Sequence, residues 1–139
     1  MQISARNQIS GIVEYIEHGT VNAEVYIKLK SGYTLVAVIT NTAVKNLDLN
    51  LNDEVVAIFK SSTVLLTTEI TLSISARNKF QGVIDTINIG EINSEVILDI
   101  GNGDKIASII TTSSVDSLGL KKGAHASAII KASDIMIGK

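Results

Sequence analysis

Apolar and polar positions alternate in short bursts along this chain. Between Ala23 and Leu29, the residues Val25, Ile27 and Leu29 fall on one side, and Glu24, Tyr26 and Lys28 on the other. A period of two marks a strand with one buried face. Gln8–Glu17 alternates more loosely and stops at Gly19, and Thr34–Thr40 follows the Ser31-Gly32 turn, so both read as strands. The period then lengthens. Ala43, Val44 and Leu47 recur at helical spacing behind Thr40 and Asn41, two residue types that cap helices, which predicts a short helix ending at Asp48. Asn52-Asp53 marks a turn before a strand over Glu54–Lys60, and a last short strand covers Val64–Leu66.

The same pattern then runs a second time. Ser4-Ala5-Arg6-Asn7 recurs as Ser75-Ala76-Arg77-Asn78, an offset of 71 residues that holds without a gap to the end of the sequence. Residues 3–68 and 74–139 share 21 identities in 66 positions, which establishes a tandem duplication. The second helix is predicted to stop at Gly119, since glycine suits the position just past a helix. Lys122-Gly123 precedes a strand over Ala126–Lys131, and Ile135–Ile137 forms the last one. Each unit therefore reads as five strands with one short helix between the third and fourth. That describes an all-β chain built as a tandem pair of small closed barrels of the OB type. The units span residues 1–68 and 74–139, joined by a linker of about 69–73 that has no glycine or proline hinge. A unit of this size buries only about 60% of its unfolded surface. The units are therefore expected to pack on each other and to oligomerise.

Composition agrees with the pattern and removes several functions. Isoleucine, valine and threonine supply 45 of the 139 residues, a strand-forming bias. Proline is absent where about seven would be average, which suits a backbone committed to ladders. Without cysteine there is no disulfide framework, thiolate metal site or cysteine nucleophile. A net charge of −2 and five aromatic residues argue against a nucleic-acid platform. No apolar run approaches the roughly 18 residues of a membrane span. Met1–Arg6 lacks the features of a secretory signal, so a cytoplasmic location is expected.

No recurring catalytic arrangement emerges. There is no Walker A loop and no Gly-x-Gly-x-x-Gly after a strand. His18 and His125 do not align under the repeat, and Asp53-Glu54 is matched by Ala124-His125. The polar residues that both units retain are more informative. They are Ser4/Ser75, Arg6/Arg77, Asn7/Asn78, Asn22/Asn93, Glu24/Glu95, Thr40/Thr111, Lys60/Lys131 and Ser62/Ser133. A guanidinium, an ammonium and hydroxyls suit a small tetrahedral oxyanion, because they offer donors and compensating charge together. Four or five charge-assisted hydrogen bonds of about 1.5–3 kcal/mol each support binding near micromolar. Spacing alone leaves a second reading open, in which Ser-Ala-Arg-Asn simply opens the first strand and Arg6 and Lys60 are solvated. Asn22-Ala23-Glu24 and Asn93-Ser94-Glu95 read as turn and strand-start residues.

Four ordered motifs, each present twice, carry a resemblance. They are Ser4–Asn7, Gly19–Val25, Val38–Thr40 and Ile58–Ser62, repeated as Ser75–Asn78, Gly90–Val96, Ile109–Thr111 and Ile129–Ser133. In this the chain resembles the molbindin, or Mop domain, family over nearly its whole length, and most of all its stand-alone two-domain members. The resemblance implies OB-like barrels that bind molybdate and tungstate in the cytoplasm, with no catalysis. It also implies homotrimers holding the oxyanions at domain and subunit interfaces. Carried over by motif, the oxyanion ligands are Ser4, Arg6, Lys60 and Ser61 from the first unit, with Thr40 as a hydroxyl contributor. The second unit supplies Ser75, Arg77, Lys131 and Thr111. Ala132 replaces Ser61 there and offers only its backbone N–H, so the two kinds of site differ. The Asn22 and Asn93 segments are implied in a second class of site near a threefold axis. The sequence contains neither the helix-turn-helix of the family's regulators nor the P-loop of its transporter ATPases. Its first repeat begins by residue 3, which favours storage or buffering of molybdenum. Two rival readings are an OB-type nucleic-acid module and an assembly module without a ligand.

Overall fold

The computed structural model describes residues 2–139. Its elements follow the predicted order. In the first repeat they are β1 (Asn7–His18), β2 (Asn22–Leu29), β3 (Thr34–Thr40), α1 (Asn41–Asn46), β4 (Glu54–Phe59) and β5 (Leu65–Thr67). The second repeat contributes β6 (Asn78–Asn88), β7 (Asn93–Gly101), β8 (Asp104–Thr111), α2 (Thr112–Leu118), β9 (His125–Ile130) and β10 (Met136–Gly138). Thr40 and Thr111 cap the two helices, their hydroxyl oxygens accepting from the N–H groups of Ala43 and Ser114. Gly119 takes the left-handed conformation that ends α2.

The pairing of strands departs from the expectation of two self-contained barrels. One five-stranded sheet runs β10-β4-β1-β2-β3 and the other β5-β9-β6-β7-β8. Each repeat thus supplies four strands to its own sheet and its last strand to the other. Leu65–Thr67 pairs antiparallel with Ser127–Ile129, and Met136–Gly138 with Val56–Ile58. The cause lies just upstream. After Lys60 the chain makes a 3-10 turn, Ser61–Thr63, that packs against β8 of the second repeat. The buried Val64 follows, and its carbonyl accepts a 2.8 Å bond from the Ser108 hydroxyl. The turn Ala132–Asp134 packs reciprocally against β3. The crossing between sheets therefore lies at residues 61–64, ahead of the expected linker at 69–73. That linker then has only to step across β9, because β5 and β6 lie on either side of it.

Strand β1 serves two neighbours, and a glycine sits where it passes from one to the other. Gly11 pairs with Val55 of β4 and with Leu29 of β2. A Cβ at Gly11 would collide with Ile27 and the Lys28 carbonyl, and one at Gly82 with the Asp99 carbonyl. Both positions need glycine so that strongly coiled strands can approach. Val13, Val25, Ile27, Leu35 and Phe59 fill the first interior, and Ile84, Leu98, Ile106 and Ile130 the second. These belong to one continuous apolar cluster.

Two asparagines join the repeats. Asn78 is 1% exposed; its side chain accepts from the Val36 N–H and donates to the Val36 carbonyl, both at 2.8 Å. Asn7 does the same to Ala107, again at 2.8 Å in both directions. Val36 and Ala107 lie on β3 and β8, the terminal strands of their sheets, so each carboxamide occupies the place of a ladder partner. Truncation would leave a buried N–H and C=O without partners, at about 1–3 kcal/mol for each group. Asn78→Ala and Asn7→Ala are each expected to lower unfolding stability by roughly 2–5 kcal/mol, read from urea denaturation.

A second tie joins Lys139 to the first repeat, where its ammonium donates to the Asp48 carbonyl at 2.6 Å and pairs with Asp53 at 3.0 Å. The Asn50 backbone N–H and then Lys139 hold the Asp53 carboxyl below its ordinary pKa. With the folded value below the unfolded one, the stabilisation is complete above the ordinary carboxylate pKa and lost as pH falls through the folded value. Asp53→Asn should therefore be less stable than wild type near neutrality. In urea unfolding the difference should shrink as pH falls below the ordinary carboxylate range.

A cationic cleft where the repeats meet

The Ser-Ala-Arg-Asn segment and the Lys-(Ser/Ala)-Ser segment are brought together by register. Asn7 pairs with Phe59 and Asn78 with Ile130, the last rungs of their ladders. Arg6 and Lys60 therefore flank one rung, and Arg77 and Lys131 the equivalent rung. Successive side chains on a strand point to opposite sides. Asn7 accordingly turns inward and Arg6 outward, with Asn78 and Arg77 disposed alike. The Gln8 amide donates to the carbonyls of Ile3 and Ala5 and steadies the approach to β1. Lys79 takes the equivalent place in the second repeat, donating to the carbonyls of Ile70 and Leu72.

Four predicted site residues, Ser75, Arg77, Lys131 and Ala132, line one cleft of about 540 Å³. The first repeat adds Ser62 and Thr63 to it, and the second adds Asp134. Lys60 and Lys131 are exposed and make no ion pair among the described residues. Ser61 and Ala132 are both buried at the start of their 3-10 turns. Ser4 is exposed on the approach to β1.

Both arginines are paired across the repeat boundary. Arg77 bonds to the Glu24 carboxylate, donates to the Tyr26 hydroxyl at 3.0 Å, and lies 5.9 Å from the centre of that ring. The Tyr26 hydroxyl, then Glu24, raise the Arg77 pKa further above its ordinary value. Arg6 contacts Glu95. That carboxylate oxygen is buried and receives no well-aligned hydrogen bond, whereas its other oxygen accepts from Asn88 at 3.1 Å. The contact with Arg6 is thus an ion pair of poor alignment. Arg6 is thus paired rather than simply solvated, whereas Lys60 stands exposed as the second sequence reading has it.

The threonines are arranged across the repeats as well. On β2 and β3 Glu24 pairs with Val38, and the next rung on that face joins Asn22 to Thr40. Val38 lines the Arg77 cleft, so Thr40 stands one rung beyond the second repeat's arginine. Arg6 likewise shares a smaller cavity with Asn93, Glu95 and Ile109, and Thr111 pairs with Asn93. Thr111 stands in the same relation to the Arg6 cavity, two residues along β8 from Ile109. The Thr40 hydroxyl accepts from its helix and keeps a proton to donate, whereas that of Thr111 also meets the Ser114 hydroxyl at 2.7 Å. Asn22 and Asn93 open β2 and β7, as their turn and strand-start character indicated. A Cβ at Gly19 or Gly90 would strike the carbonyl of Asn22 or Asn93, which accounts for one further shared identity.

Both repeats match the TOBE domain model, over residues 3–66 and 74–137. The chain belongs to the TOBE domain family. This bears out the resemblance carried by the four repeated motifs. The molybdenum transport protein ModE of Azotobacter vinelandii is 40% identical over 137 residues, covering 99% of this chain and 51% of the relative. The molybdenum-pterin-binding protein MopA of Rhodobacter capsulatus is 38% identical over 138 residues, covering 99% and 52%. The present chain thus spans about half the length of these curated relatives. A crystal structure of the cytoplasmic molybdate-binding protein ModG with molybdate bound is 45% identical and superposes with a TM-score of 0.95 over 99% of both chains. The tandem TOBE architecture is therefore shared in full with a solved protein. Among the described residues no helix is long and apolar enough to cross a membrane.

Proposed function

We propose that this chain binds molybdate, and tungstate through the same tetrahedral geometry, as a non-enzymatic cytoplasmic protein of molybdenum storage or homeostasis. The observation that carries this reading is the convergence of Arg77 and Lys131 with Ser75 and Ser62 on one cleft. A buried dianion needs compensating charge and directed donors, and this set offers both. The molybdate-bound ModG structure and the names of the molybdenum-binding relatives support the choice of anion. The proposed ligands are Arg77, Lys131, Ser75 and the Ala132 N–H on one side, and Arg6, Lys60, Ser61 and Ser4 on the other. Thr40 and Thr111 contribute hydroxyls.

The proposed assembly is a homotrimer with anions at domain and subunit interfaces. Val21, Ile89 and Ile92 favour association, standing 68%, 63% and 77% exposed at the hairpin tips beside Asn22 and Asn93. Those tips would also frame the second class of site. Covering such residues removes apolar area from water at about 25 cal/mol per Å².

Isothermal titration with sodium molybdate should give saturable heat with a Kd of about micromolar or below. The double variant Arg6→Ala/Arg77→Ala should lose that heat while remaining folded. A double variant titrating like wild type would refute the site. Sedimentation equilibrium should return three times the chain mass of 14.8 kDa, and Ile92→Lys should shift the population toward monomer.

A further inference from the structure

Arg77 and Arg6 are repeat equivalents, yet the sister repeat holds them differently. Arg77 meets two anchors on β2, bonding through Nη1 to Glu24 Oε2 and donating from Nη2 to the Tyr26 hydroxyl at 3.0 Å. The Tyr26 hydroxyl in turn donates to Glu24 Oε1 at 3.2 Å, which closes a ring of three side chains. Having given its proton to the carboxylate, that hydroxyl offers Arg77 a lone pair only. The tyrosine is itself held. A β-bulge in β1 between Val13 and Tyr15 brings Tyr15 into register with Tyr26, and the two rings pack with their centres 5.5 Å apart. Ile97 stands at the repeat equivalent of Tyr26, so that position offers Arg6 no hydroxyl beside its Glu95 contact.

We infer that Tyr26 is a positioning residue for oxyanion binding, its hydroxyl fixing the plane of the Arg77 guanidinium at the cleft shared with Lys131. This rests on the proposed oxyanion binding and adds to it a residue that acts through another. A carboxylate alone holds an arginine by charge and leaves the planar fork free to turn about that contact. Bonds from two different nitrogens to two different partners fix the plane. Glu24 and Tyr26 take one N–H from each terminal nitrogen, and the remaining guanidinium N–H groups make no other hydrogen bond among the described residues. Those donors serve an anion in the cleft that Arg77 lines with Ser75 and Lys131. The Arg77 side chain is 44% exposed, so without these anchors it would keep much of its rotamer freedom in the free protein. A side chain ordered before the anion arrives loses less entropy on binding it.

The test compares wild type with Tyr26→Phe in the full chain, by two measurements. Phenylalanine keeps the ring, its packing on Tyr15 and its face toward Arg77, and removes the hydroxyl alone. Isothermal titration with sodium molybdate should show the Arg77-dependent binding, defined as the heat lost in Arg77→Ala, weakened about three- to tenfold in Tyr26→Phe. Nitrogen-15 relaxation of the Arg77 Nε–H, measured without molybdate, should report a more mobile guanidinium in the variant. A merely structural role for Tyr26 would not move that signal. Molybdate binding by Tyr26→Phe equal to wild type overturns the inference. So does weakened binding with Arg77 as rigid as in wild type, because the loss then arises elsewhere in the fold. Absence of any molybdate heat from wild type is a different result, which removes the binding function itself and this inference with it.

Discussion

The free edge of a terminal strand must be satisfied, and here one carboxamide from the sister repeat satisfies each edge. Val36 and Ala107 each present an N–H and a C=O away from their sheet partners, and Asn78 and Asn7 meet them with two bonds apiece. A buried backbone group without a partner is costly, so neither sheet is complete until the other repeat has docked. The exchanged strands β5 and β10 extend the same dependence along the opposite edges. The units are separate repeats in sequence and one folding object in space.

This joining also arranges the chemistry. The asparagine that anchors each repeat is followed outward by the arginine next to it in sequence. Because Asn78 is fixed at 2.8 Å to Val36, Arg77 is carried to Glu24 and Tyr26 of the sister repeat. The same register sets Lys131 beside it. An anion site built from such residues needs little rearrangement of the main chain, which limits the entropy lost on binding. The glutamates give each guanidinium a partner across the repeat boundary.

Charge decides binding at the scale of a cleft. A net charge of −2 describes the chain as a whole. It carried no information about two cations and several hydroxyls held within one cavity. The glutamates that pair the arginines were visible as shared identities at 24 and 95, but their turn-and-strand setting concealed that use. Ser62 was visible in the same way through Ser133. Tyr26 and Asp134 left no such trace, since Ile97 and Thr63 stand at their repeat equivalents.

The sequence by itself determined the duplication, the order and type of the elements, and the helix caps at Thr40 and Thr111. These follow from local periodicity, from residue preferences and from comparing one half of the chain with the other. It also singled out Arg6, Arg77, Lys60 and Lys131, because paired retention is legible without coordinates. The destination of the last strand belonged to the tertiary structure. A three-residue strand looks alike whichever sheet accepts it, and only the packing of the Ser61–Thr63 turn on β8 settles the partner. The same holds for the pairing of each arginine with a glutamate some 50 or more residues away. Local pattern records which side of a strand a residue occupies; only the docking of one repeat on the other decides what it faces.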